Sequence, residues 1–217
     1  MAVTGIHWAD LLKERQRRLQ QVLNESLAPV VVEGPWWVRT LRALWRRLRR
    51  QEFQFVSNFI ADIIGYLDPD AQAAVHGRLR ESLDRLSADV GSLSGKRPLT
   101  IIAHSLGTVI SSNYVWDQAK LRRQQGQDGF HPHLQFENFF TLGSPLALFS
   151  LRYGGPDAFK QPVSVESPRG RWLNISDADD PVGMPLKTLN DAYARAVFRE
   201  VRVNSGAYLA AHNGYFN

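Results

Sequence analysis

The apolar positions of the chain follow two periods, and the change comes near residue 95. Before it, Trp8, Leu11, Leu12, Leu19, Val22 and Leu23 recur at the three- and four-residue spacings of one helical stripe. Pro29 and then Gly34–Pro35 interrupt that stripe. It resumes over Trp36–Arg50, where Trp37, Leu41, Leu44, Trp45 and Leu48 share a face. Phe53–Tyr66 is apolar and expected to be buried. Asp68 can accept from first-turn amides and Pro69 carries the φ of a first helical residue, so a helix is expected from there to about Val90.

After Gly95 the apolar runs are short: Leu99–Ala103, Asn138–Leu142, Trp172–Ile175 and Val197–Val203, each bounded by Gly, Pro, Ser or Asp. Helical patterns fill about Gly107–Lys120 and Leu186–Ala196, and a polar loop covers Arg122–His133. Apolar strands alternating with helices are the pattern of a parallel sheet covered on both faces. The expected class is therefore α/β, a mostly parallel sheet flanked by helices. The N-terminal part is largely helical and supplies one or two strands at most. The expected organisation is one domain over residues 1–217. Residues 1–95 form its mainly helical part, with a candidate lid at 34–66, and 96–217 form the sheet region that carries the candidate chemistry.

Composition narrows this picture in three places. At 217 residues with 44% hydrophobic positions, the chain can bury a core of single-domain size. It has no cysteine, which rules out disulfides and thiolate metal ligands and fits a reducing compartment. Charge appears after nine residues, so the start lacks the apolar run of a signal peptide, and no stretch approaches the roughly 18 uncharged apolar residues of a membrane span. The expectation is a soluble cytoplasmic protein without metal or cofactor.

The net charge of +5 is concentrated locally. Arg39, Arg42, Arg46, Arg47, Arg49 and Arg50 lie in a stretch without an acid, on the far side of the stripe built from Trp37 and Trp45. Such a helix can pack its apolar face on the domain and solvate its arginines. Alternatively it can lie in a lipid interface, with Trp as anchor and Arg on head-group phosphates, which makes Trp36–Arg50 a candidate peripheral membrane contact. No nucleic-acid reading module accompanies the charge, and no nucleic-acid partner is expected.

The candidate chemistry starts at Thr100–Ile110, TIIAHSLGTVI. A serine on a tight strand-to-helix turn takes a strained backbone that raises its hydroxyl above the sheet edge, and the residues two before and two after must be small. Here they are Ala103 and Gly107. The helix start behind Ser105 aims amides at a developing oxyanion, with Leu106 N–H as the natural donor. A serine hydroxyl needs a base, and the base needs a carboxylate. The strand Trp172–Ile175 runs into Ser176–Asp177–Ala178–Asp179–Asp180–Pro181–Val182, where Asp180 is favoured because Asp–Pro–Val resembles the acid loop of many serine hydrolases, and Asp177 and Asp179 remain open, as acid or as turn and cap residues. After the last strand stands His212, the candidate base. His7 and His76 fall in the helical part, His131 and His133 in the polar loop, and His104 points away from the nucleophile on an alternating backbone.

The segments AHSLGTVI, TLGSPLALF, WLNISDADDPVG and AHNGYF occur in an order that resembles α/β-hydrolase-fold serine hydrolases. They are most similar to bacterial lipase- or esterase-like members, with some similarity to DDHD-type phospholipases. The resemblance covers about Leu99–Phe216 and implies Ser105 as nucleophile, Asp180 as acid and His212 as base. It implies a carboxylic-ester hydrolase, with lipid or other acyl esters as substrates. Gly143–Ser144–Pro145 reads as a structural turn. The departure lies upstream, where no segment before Leu99 plays the early strands or the His–Gly loop that carries a second oxyanion donor; Gly5–Ile6–His7 is the nearest match. From that departure follows an alternative, a catalytically impaired protein of the same fold that binds a lipid or a protein.

Overall fold

In a computed structural model of the chain, the described residues are 2–13, 17, 58–90, 95–206 and 209–216. The expected Trp36–Arg50 helix lies outside them. So does most of the candidate lid at 34–66 and most of the helix expected over Trp8–Leu23, of which Ala9–Leu11 forms one 3₁₀ turn. The chain forms two compact units, Gly5–Arg78 and Leu79–Asn217 with Met1–Thr4. No helix among the described residues is long and apolar enough to cross a membrane.

In the smaller unit, residues 58–67 are helical, and after Asp68 the chain enters α1 (Pro69–Asp89), of which the residues from Leu79 on belong to the larger unit. The start is as the sequence implies, with Asp68 Oδ1 accepting from Ala71 N–H at 3.0 Å. Leu12, Tyr66 and Val75 are buried, and Leu12 seats against Gly65, where a Cβ would stand 3.3 Å from its side chain. Ile60 and Ile64 are exposed, so the described part of the apolar run before Asp68, residues 58–67, is buried on one side only.

The larger unit is built on four strands, β1 (Arg97–His104), β2 (Leu134–Leu142), β3 (Arg171–Asp177) and β4 (Arg199–Val203), paired in that order and all parallel. The α/β class and the parallel sheet are as expected. Between the strands run α2 (Leu106–Gln124), the four-residue α3 (Leu146–Phe149) and α4 (Asp191–Ala196), and α5 (Leu209–Asn213) follows β4.

The register decides which side chains form the core. Ile101, Phe139 and Trp172 lie in one row, and Ala103, Thr141 and Asn174 in the next. Phe139, Trp172, Thr141 and Asn174 are all buried. An aromatic file, Phe130, Phe136, Phe139, Trp172, Tyr193, follows this face with ring centroids 5.2–5.9 Å apart. Its polar members are satisfied: Trp172 Nε1–H donates to Thr141, Thr141 donates to Asn174, and Asn174 donates to Glu200 and to the Met184 carbonyl. Ile102, Phe140, Leu173 and Ile175 point to the opposite face, where Ile102 is 64% exposed and the others are half-buried.

Two boundaries differ from expectation for identifiable reasons. β2 begins at Leu134 because the register slips between Leu99 and Thr100: Leu99 pairs with Phe136 and Thr100 with Asn138. Glu137 is the extra residue of that bulge, so Phe136 and Phe139 share a face across an odd spacing, and a two-residue alternation does not see it. The helix expected over Leu186–Ala196 starts at Asp191. Glu200 Oε1 accepts from the amides of Leu186 and Lys187, and Asn190 caps α4 by accepting from Ala192 and Tyr193 N–H.

Candidate active site

Ser105 stands between β1 and α2 with φ 54° and ψ −134°, and among the described residues it is the non-glycine with positive φ. Such a conformation costs an L-residue roughly 1–3 kcal/mol and persists where the surroundings enforce it. Here the Ser105 amide donates to Leu142 O on β2, and the Ser105 carbonyl accepts from both the amide and the hydroxyl of Thr108. Thr108 Oγ1 also lies 2.8 Å from Ser144 Oγ, and both are fully buried. The turn Gly143–Ser144–Pro145 after β2 thus braces the Ser105 turn.

The chain places Ser105, Asp180 and His212 together from three strand ends. His212 Nε2 lies 2.8 Å from Ser105 Oγ, and His212 Nδ1 lies 3.0 Å from each oxygen of Asp180. A carboxylate only accepts, so Nδ1 carries the ring proton and Nε2 is left as the acceptor for the serine hydroxyl. Asp180 and His212 are buried, whereas Ser105 is half-exposed. The Asp180 carboxyl is pushed up by burial, but donors from His212, Val182 N–H and Tyr215 outweigh this and hold it down at about 2.

The two other acids of the β3 loop do different work. Asp177 accepts from the amide and hydroxyl of Ser205 and from Asp179 N–H, and these donors hold its carboxyl below the usual range. Ser205 Oγ, which has a single proton, also lies 2.8 Å from Ala211 O, bringing the turn after β4 against α5 just before His212. Asp179 is exposed. His104 Nε2 lies 2.6 Å from the His212 carbonyl oxygen, and the two rings stand 4.9 Å apart. Burial lowers its pKa and favours the neutral ring, which donates through Nε2–H. His131 is buried in the loop before β2, where it bonds Asp84 of α1 through Nε2 and accepts from His133 N–H.

Sequence reasoning did not find the packing around the carboxylate. Gly143 has φ 54°, and a Cβ there would stand 2.8 Å from the Tyr215 ring and 2.9 Å from Asp180 Oδ2. A Cβ on Gly183 would overlap Asp180 Oδ2 and stand 2.9 Å from Tyr215 Oη. Both glycines leave room for Tyr215, whose hydroxyl donates to Asp180 Oδ2 at 2.8 Å. Their signal was in the segments LGSP and DPVG, where glycine sits next to each strand-end turn. Among the described residues no cluster of His, Asp and Glu forms a set of metal ligands.

Comparison with known proteins yields one distant relative to report. The chain is 27% identical over 156 residues to a probable mitochondrial phospholipase of Schizosaccharomyces pombe, an alignment covering 62% of this chain and 20% of that protein. The chain thus matches about a fifth of the length of that relative. No protein-family profile and no solved structure matches it.

Proposed function

We propose that the protein is a serine hydrolase that cleaves carboxylic esters of lipids. The carrying observation is the hydrogen-bond chain from Ser105 Oγ through His212 to Asp180, with the serine alone of the three open to solvent. The phospholipase name of the distant relative supports a lipid substrate.

Ser105 Oγ attacks the ester carbonyl carbon while His212 Nε2 takes its proton, and Asp180 stabilises the imidazolium and fixes its orientation. The carbonyl oxygen becomes an oxyanion over the start of α2, where the first-turn amides have no helical acceptor, and Leu106 N–H donates to it. Collapse of the tetrahedral adduct breaks the bond to the alcohol oxygen, which leaves with the proton held on His212. A water molecule gives a proton to His212 and attacks the acyl-serine, and the acid departs as Ser105 regains its hydrogen.

The test is covalent labelling by a fluorophosphonate, together with product analysis on phospholipid vesicles. Labelling of the folded protein that disappears in Ser105→Ala, with release of fatty acid, is the expected result. A folded sample that never labels sinks this proposal and favours a lipid-binding protein of the same fold. Release of the phosphorylated head group in place of fatty acid sinks the carboxylic-ester assignment.

A further inference from the structure

Tyr215 lies in the last turn of the described chain, three residues beyond His212, and its hydroxyl is used twice. It accepts from Asp177 N–H at 2.9 Å and donates to Asp180 Oδ2 at 2.8 Å. The amide occupies a lone pair of the phenol oxygen and leaves the phenol proton only one productive direction, toward the carboxylate. The two acceptor oxygens of Asp180 are then fully committed: Oδ1 takes Val182 N–H, Oδ2 takes Tyr215, and both face His212 Nδ1. Gly143 and Gly183 keep open the space in which ring and carboxylate meet.

From this geometry we infer that Tyr215 is a positioning residue for the ester hydrolysis proposed above, acting through Asp180: it fixes the plane of the carboxylate and shares its charge, and so sets the orientation and basicity of His212. The inference rests on the assignment of Ser105, His212 and Asp180 to that reaction. Burial, then the hydrogen bond to Asp180 and its negative charge, raise the Tyr215 pKa, so the hydroxyl stays a donor at every pH at which the enzyme would work. Because His212 and Tyr215 share one short segment, the turn that delivers the base also delivers the group that aligns its partner.

The experiment is Tyr215→Phe, which keeps the ring and removes the one oxygen, in wild-type and Asp180→Ala backgrounds. Acylation by a fluorophosphonate is timed and normalised to the sites that finally label, so that a loss of folded protein does not count as a loss of rate. The expected result is about a ten- to hundredfold slower acylation per site in the wild-type background, the range a hydrogen bond to a charged group spans. In the Asp180→Ala background the same change should move the rate less than about twofold, since the acceptor is gone. An unchanged rate per site, or an equal loss in both backgrounds, overturns the role of Tyr215 and leaves the hydrolase intact. No labelling of wild type overturns both.

Should the Phe variant not fold, 3-fluorotyrosine at 215 keeps the shape and strengthens the donor. Among the described residues Asp180 and His104 face His212 directly, and Tyr215 reaches it through Asp180. A stronger donor makes the carboxylate a weaker partner for the imidazolium. The acid limb of the acylation profile should move to lower pH, and no movement overturns the inference.

Discussion

Ser105 holds a backbone conformation that glycine adopts freely and serine does not. Ser105→Gly should therefore abolish acylation and yet raise stability by about 1 kcal/mol, the released strain less the extra chain entropy of glycine. Ser105→Ala keeps the Cβ and should be inactive without that gain, so parallel denaturant titrations of the two variants isolate the strain. At Asp180, replacement by Asn removes the charge and offers Nδ1 a mixed partner that permits the wrong tautomer. A loss on the order of 10⁴-fold in turnover is expected, read by steady-state kinetics on a soluble ester.

At the scale of elements, the site depends on turns that carry no reacting atom. Gly183→Ala drives a methyl group into Asp180 Oδ2 and toward Tyr215 Oη, and should lower turnover about a hundredfold or more with a smaller change in KM. Asn190→Ala removes the cap of α4 and the donors to Pro156 O and Phe159 O, at a cost of about 1–2 kcal/mol seen in thermal melts. These turns also mark where the sequence stops being readable. The parallel sheet was legible because strands bounded by turn residues are local signals, and Ser105, Asp180 and His212 could be named as candidates from three strand-end segments and their order along the chain. The Glu137 bulge hid the first half of β2, because one inserted residue reverses the in–out alternation. Tyr215 was not singled out, since its role exists only where the ends of β3 and of the chain meet. Along the chain Asp180 is favoured with Asp177 left open, and their donors in space separate the two: Ser205 for Asp177, His212 for Asp180.

For the molecule as a whole, Asp180, Asp177, His104 and His131 act in one direction as the solution is acidified, and Asp117, whose carboxyl is raised by burial, acts in the other. Asp180, held at about 2 against an ordinary 3.8, contributes about 2 kcal/mol that is fully present above pH ~4 and is lost as pH falls through the folded value. Asp177 is shifted in the same sense. His104 and His131, whose burial lowers their pKa, oppose folding once the unfolded chain begins to take up protons below the ordinary 6.5. The denaturant midpoint should fall in two stages, first below pH ~6.5 and then below ~4, and Asp180→Asn should flatten the second. The arrangement of the site also bears on how the protein reaches its native state. Ser105, Asp180 and His212 follow β1, β3 and β4, and their partners are 107 and 32 residues apart in sequence. No hairpin or single βαβ unit contains all three, and contacts of such separation form late and slowly. Probe reactivity is therefore a clock for the end of refolding: in stopped-flow mixing it should lag the recovery of helix signal and keep pace with the docking of β4.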